Sequence, residues 1–417
     1  MCFSILKGVF KLELAGLVAS LIVVIVIVSK WKKVPAALTA GIFVLVVLTS
    51  IDLNSFIKIL FDVSTSYDTL ELVCIVLLIT LLSNVMKNAS LLKGMLSSLI
   101  NLLKNIPLLI TLVPAFVGLL AMPGGSIMSA PMVKQMGDRI KMTPGAMSAA
   151  NVFFRHITLF FNPLSPMFII IADLSGLGFM PIIKFHILPV IVSIIIGVLI
   201  INHYWTAKYK VVEENYKLTE LKNLLYAGSP LIISLTLALL FAVNFIIALS
   251  LGIFLAIILD ANTQKEWNWP RIKEYLMKGI NWNMGITVYA ILVFSAFVQN
   301  SQGIITLAEY FSNFNFPIII LILLSALIVG FASGHPMAGA AIVYPVFLPL
   351  VGTGAESVAY LSLLYTGMIS GYLFSPIHLC LIVSNEYFKV SFTESYPLLL
   401  TLIASLLIPA TLIAFFI

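Results

Sequence analysis

Arg155 stands in an apolar stretch, seven residues before the pair Asn162-Pro163. An arginine inside a membrane-length apolar run is costly, which makes it a candidate for function, and its planar fork matches the oxygen pair of a carboxylate or phosphate. It can equally snorkel, or pair with Asp138 or Asp173. His335 and His378 lie in similarly apolar surroundings. Each is suited either to carrying a coupling proton near neutral pH or to a structural hydrogen bond. His156 is about 100° around a helix from Arg155 and reads as a packing or hydrogen-bonding residue. Cys2, Cys74 and Cys380 form no CxxC and no Cys/His spacing of metal-ligand type, so neither a disulfide framework nor a metal centre is expected from them. There is no Walker-type phosphate loop, HExxH, GxSxG or paired-acid constellation, which argues against ATP-driven transport and against the common hydrolases.

The elements that must hold these residues follow from composition. The 417 residues are 61% hydrophobic and 10% charged, with a mean hydropathy of +1.12. A soluble domain carries about 25% charge, so an all-α polytopic membrane protein is expected. The net charge of +6 is spread over short loops with no basic stripe, which excludes a nucleic-acid partner and leaves the bilayer as the surrounding. Plain spans are predicted at 14–29, 34–51, 69–86, 182–201, 283–298 and 397–417. The run 224–259 is too long for one crossing and is split at Asn244 into two. The segments 144–177 and 356–383 each read as one crossing with a central break, which brings the total to ten.

Two further apolar pieces, 107–121 and 317–332, are too short to span and end in turns, Pro123-Gly124-Gly125-Ser126 and Ser333-Gly334-His335-Pro336. Each is followed by another apolar stretch, so re-entrant hairpins are expected over 107–137 and 317–350. With the N- and C-termini outside, 18 of the 23 Lys and Arg residues fall on the cytoplasmic side, which sets the orientation in a cell membrane. An offset of 210 residues superimposes Pro107 on Pro317, Gly124 on Gly334 and Ser165-Pro166 on Ser375-Pro376. The chain therefore divides into a first repeat (1–203), a cytoplasmic linker (204–223) and a second repeat (224–417). Five crossings per half make the repeats inverted, an arrangement typical of transporters.

Backbone polar groups in hydrocarbon must be paired, so the tips and breaks should share one polar site inside the protein. Ser126, Ser165 with Pro166, Ser375 with Pro376, and Pro336 are placed to open new half-helices there. Four helix N-termini pointing at one cavity favour an anion. The expected binding residues are Gly124, Gly125, Ser126, Arg155, Asn162, Ser165, Ser333, Gly334, His335 and Ser375, with Ser126, Asn162 and Ser165 offering oxygens to a coupling sodium ion. No other cofactor is implied. Residues 90–104 and 304–311 read as amphipathic helices lying in the membrane interface.

Five spans per half, a re-entrant hairpin and a broken helix resemble the ion-transporter superfamily, and within it a family of ten-span prokaryotic membrane proteins. Divalent-anion/sodium symporters and gluconate permease-like carriers belong to the same superfamily. The resemblance implies a homodimer in which hairpins and broken helices move as a transport domain against a scaffold. The Ser-Asn-Thr motifs of the divalent-anion symporters are absent here, so only the positions of tips and breaks carry over. The expected function is a secondary carrier of a small anion, an organic carboxylate foremost, coupled to sodium or protons by elevator-type alternating access. A membrane-embedded enzyme acting on a lipid or phosphate and a passive anion channel are the alternatives.

Overall fold

A computed structural model describes residues 2–49, 51–103, 105–120, 125–204, 217–264, 266–303, 306–307, 317–352 and 354–417. Among these residues every regular element is helical. The first half runs α1 (Cys2–Trp31), α2 (Val34–Leu48), α3 (Leu53–Thr65), α4 (Tyr67–Asn88), α5 (Leu91–Leu102), α6 (Ile106–Gly118), α7 (Gly125–Arg139), α8 (Pro144–Ile157), a 3-10 turn (Thr158–Phe160), α9 (Pro166–Leu174) and α10 (Phe179–His203). The second runs α11 (Lys217–Leu239), α12 (Phe245–Gln264), α13 (Trp269–Lys278), α14 (Trp282–Gln299), α15 (Ile318–Ser333), α16 (Pro336–Val351), α17 (Ala355–Phe374), α18 (Leu379–Phe388) and α19 (Phe392–Phe416).

Among the described residues eight helical stretches are long and apolar enough to cross a membrane, and α2, α5, α6, α15 and α16 are shorter apolar helices. The chain is a multi-pass membrane protein. Its outer helices present large apolar side chains outward, among them Ile22, Val26, Phe43 and Val47, while Leu17, Val24 and Val28 of α1 face inward. Lipid is the solvent that such a surface requires.

Helix boundaries follow local chemistry. Prolines stand in the first turn of α2, α6, α8, α9 and α16, where a missing amide hydrogen costs nothing. Asp52, Asn105, Asn268 and Asn281 cap α3, α6, α13 and α14 by accepting from the amides of Ser55, Leu108, Arg271 and Met284. The long apolar run of the second half stops at Leu239 and resumes at Phe245, with Asn244 accepting from Ile246 N at 3.0 Å and donating to Glu71.

Burial is concentrated in the hairpins and broken helices. Every residue from Gly145 to Ile157 is buried, as are Pro166 to Ala172 and Met337 to Phe347. The packing repeats between halves: α6, α7 and α8 contact one another as α15, α16 and α17 do, α4 meets α12 as α14 meets α2, and α4 meets α13 as α14 meets α3. Contacts of α4 with α14 and of α10 with α19 join the halves. Glycine sets the closest crossings. A Cβ on Gly118 would stand 2.0 Å from Arg155 O, and one on Gly330 would stand 2.0 Å from Met368 O, so each outgoing arm rests backbone to backbone on its broken helix.

The amphipathic segment expected at 90–104 is α5, but its apolar face is not turned to lipid. Leu91, Leu92, Met95, Leu96 and Leu99 are buried, α5 packs on α11, and Met95 reaches Gly228. The companion segment 304–311 lies mostly outside the described residues.

Candidate functional site

Any helix that ends inside a protein leaves carbonyls without intrahelical partners. At the end of α6 those of Val117 and Leu119 are met by the broken helix: Arg155 Nη1 reaches Val117 O at 3.4 Å and Asn162 Nδ2 donates to Leu119 O at 2.9 Å. Asn162 Oδ1 accepts from Leu164 N at 3.1 Å, so its amide also shapes the break. The Arg155 side chain is 9% exposed, and its guanidinium lies against Gly125, where an added Cβ would fall 1.8 Å from Nη1. Only glycine permits that approach between the return arm and the guanidinium. Asp138, a partner considered for Arg155, instead faces Lys134 at 3.0 Å on the exposed side of α7.

The expected cap Ser126 is buried in α7, while Pro123 and Gly124 of the same turn lie outside the described residues. Ser165 does occupy the N-cap of α9, but its hydroxyl makes no cap bond; its amide donates to Asn162 O at 2.9 Å.

At the second tip a serine hydroxyl takes the place of the guanidinium and carboxamide. Ser375 Oγ donates to Phe331 O at 2.6 Å, Gly334 ends α15 at φ +53, and Ile377 packs where a Cβ would stand. His335 occupies the N-cap of α16, Pro336 follows in its first turn, and Ser333 Oγ lies 3.5 Å from His335 N. His335 Nδ1 is enclosed and has no hydrogen-bond partner. One expectation is corrected here. Ser375-Pro376 does not open a half-helix; Ser375 terminates α17, and α18 begins at Leu379 with His378 at its N-cap. The Ser375 hydroxyl is spent on the neighbouring arm's carbonyl, and His378 N folds back to Ser375 O at 3.0 Å, which delays the next helix. Lys32, read from the sequence only as a topology marker, extends Nζ to within 2.6 Å of Ile377 O in this break.

The two breaks touch. The rings of His156 and His378 lie 4.9 Å apart, Tyr372 packs on His378 with ring centroids 4.0 Å apart and the planes tilted by 40°, and its hydroxyl is 3.4 Å from His156 Nε2. Tyr365 OH donates to Leu159 O at 2.9 Å. An unbroken series of contacts therefore runs from the first tip through both breaks to the second tip.

Beside it lies a buried polar network that sequence reading missed. Ser129 Oγ donates to Asn151 Oδ1 (2.6 Å), and Asn151 Nδ2 donates to Ser126 O (3.0 Å) and Ser384 Oγ (3.2 Å). Ser148 Oγ donates to Asn385 Oδ1 (2.6 Å). Asn385 Nδ2 has no partner, and Asn385 also lines a cavity of about 470 Å³ with Glu386, Lys389 and Ser391 at the turn between α18 and α19. A signal for this network was available: Ser148, Asn151 and Arg155 fall at i, i+3 and i+7, one stripe of an otherwise apolar helix.

The family described as "Protein of unknown function (DUF401)" matches residues 14–417. The chain belongs to that family. Among solved structures it is similar to the YdaH transporter of Alcanivorax borkumensis, described as having an unusual topology, with a TM-score of 0.64 at 16% identity over 88% of this chain and 89% of that one. Identity at that level carries the fold alone. No curated protein matches.

Proposed function

We propose that this DUF401 protein is a secondary carrier of a small anion, an organic carboxylate foremost, working by alternating access of a site between the tips and breaks. The observation that carries the reading is the contact series from Gly125 and Arg155 through His156 and His378 to Ser375 and Phe331. Non-helical backbone persists at membrane depth only against protein or a watery cavity, and carriers use such broken helices to build midplane sites. In this reading Arg155, packed against Gly125 of α7, supplies the charge for an anion, and Ser126, Asn162, Ser165, Ser333, Gly334, His335 and Ser375 complete the site. Asn385 both lines the cavity at the α18–α19 turn and accepts from Ser148 at the edge of the buried network.

In this reading the halves are inverted repeats, the hairpins are re-entrant, and both termini lie outside the cell membrane. Hairpins and broken helices move as one body within a homodimer, driven by sodium or protons. The fold similarity to a transporter supports a carrier rather than an enzyme.

The test is counterflow of radiolabelled carboxylates in proteoliposomes under an imposed sodium or pH gradient. Gradient-driven, saturable exchange is expected. Flux that ignores both gradients and does not saturate would replace the carrier with a channel, and conversion of a lipid or phosphate in detergent would replace it with an enzyme.

A further inference from the structure

His156, His378 and Cys380 present three ligand atoms that all lie within 4.8 Å of one another. The first comes from α8 and the other two from the second break and the start of α18, so the cluster joins the two broken helices. We propose that it is a binding site for one late first-row metal ion that accepts mixed nitrogen and sulfur ligands, with Zn²⁺ the divalent occupant and Cu⁺ the monovalent one.

The tautomers are already set for it. His156 Nδ1 lies 2.7 Å from Val152 O and His378 Nδ1 lies 3.2 Å from Leu373 O. A carbonyl can only accept, so each Nδ1 carries the proton and each Nε2 is left with its lone pair. A backbone carbonyl holding the far nitrogen is the usual support behind a metal-bound imidazole. His378 is completely buried, and its Nε2 has no hydrogen-bond partner. An orphaned acceptor in the protein interior is costly, and a metal bond removes the cost.

The donor set selects the ion. Two imidazoles and a thiolate suit zinc or cuprous copper and are poor for sodium, magnesium or calcium, which take oxygen. Bonds of about 2.0–2.3 Å require ligand atoms roughly 3.3–3.8 Å apart, so the cluster closes by about 1 Å on loading. The Cys380 thiol gives its proton to solvent as the metal–sulfur bond forms. The Tyr372 hydroxyl, 3.4 Å from His156 Nε2, stands beside the remaining position. A bound ion would tie the first broken helix to the second at the point where they meet.

The experiment uses purified full-length protein in detergent, stripped with a chelator and titrated with Co²⁺ as the spectroscopic stand-in for zinc, then with Zn²⁺ and, under reducing anaerobic conditions, Cu⁺. One equivalent of Co²⁺ should bind with a thiolate-to-cobalt charge-transfer band that Zn²⁺ or Cu⁺ abolishes, whichever binds tighter being the occupant. Cys380→Ser and His378→Gln should each weaken binding by at least about 100-fold, the upper end of what even outer ligand partners cost. Cys74→Ser should leave both band and affinity unchanged. If the variants prove unstable, X-ray absorption on the wild-type complex decides, one sulfur and two imidazole nitrogens being expected. Absence of stoichiometric binding, a shell without sulfur, or unchanged affinity in Cys380→Ser would overturn the proposal. Metal binding is read without transport, so this outcome is independent of the carrier assignment.

Discussion

The two hairpin–break pairs face the same backbone problem and answer it with different chemistry. In the first, the carbonyls at the end of the outgoing arm are met by a guanidinium and a carboxamide, Arg155 and Asn162. In the second, a serine hydroxyl does it, and the tip carries an imidazole with an enclosed, unpartnered nitrogen. The packing is shared, as the matching glycine crossings at Gly118 and Gly330 show, whereas the groups that meet the free carbonyls differ. Matching packing thus carries different polar groups, a buried guanidinium at the first pair and, at the second, a hydroxyl, an imidazole and the exposed Lys32 ammonium. That difference is what an anion would sense.

The shared part should show the largest effects. Gly118→Ala and Gly330→Ala each drive a methyl into a carbonyl oxygen that cannot move cheaply, and each should cost about 3 kcal/mol in thermal or chemical unfolding in detergent. Gly94→Ala, whose new Cβ would meet Ala227 at an ordinary 3.7 Å, should be neutral by the same assay. A mild Gly330→Ala beside a severe Gly118→Ala would mean that the two halves do not share this crossing.

Next comes the polar network between α8 and α18. Asn151→Ala strips partners from Ser129 and Ser384, and about 2 kcal/mol of stability should be lost, measured in the same way. Arg155→Gln should lower anion affinity about tenfold, or 1.4 kcal/mol, in a ligand-binding assay while the protein stays monodisperse. Ser375→Ala, the counterpart change, should cost about 1 kcal/mol of stability and leave affinity nearly untouched. If Ser375→Ala weakened the anion more than Arg155→Gln did, the difference between the two pairs would be misassigned. The smallest effect belongs to the surface: Lys134→Ala removes an exposed pair with Asp138 and should shift stability by no more than about 0.5 kcal/mol.

Much of the fold was legible because its signals are local. Apolar run length marked the long spans, Asn244 marked the reversal before α12, and Gly334-His335-Pro336 marked the turn between α15 and α16. The candidate site was legible in part. Arg155 stands out as a charge in an apolar run and Asn162 as a polar residue before Pro163, and the structure brings both to the end of α6. Ser375 misled, since a serine before a proline suits a helix start, but here the hydroxyl had a better acceptor on a helix far away in the chain. Ser384 and Asn385 gave no warning, because a short polar pair near a span end is ordinary until Ser148 and Asn151 are seen to complete it.

By itself the sequence determined the solvent and the breaks. Hydropathy selects lipid, and clustered Gly, Pro and Ser or Asn mark where helices break, whereas single prolines such as Pro114, Pro189 and Pro345 stay inside their helices. Only the tertiary structure decided which breaks meet. His156 is 216 positions from Tyr372, and nothing in the spacing of His378 and Cys380 announces that a second imidazole will close on them. Contacts between halves arise from how whole helices pack, a property of the assembled chain that no local pattern encodes.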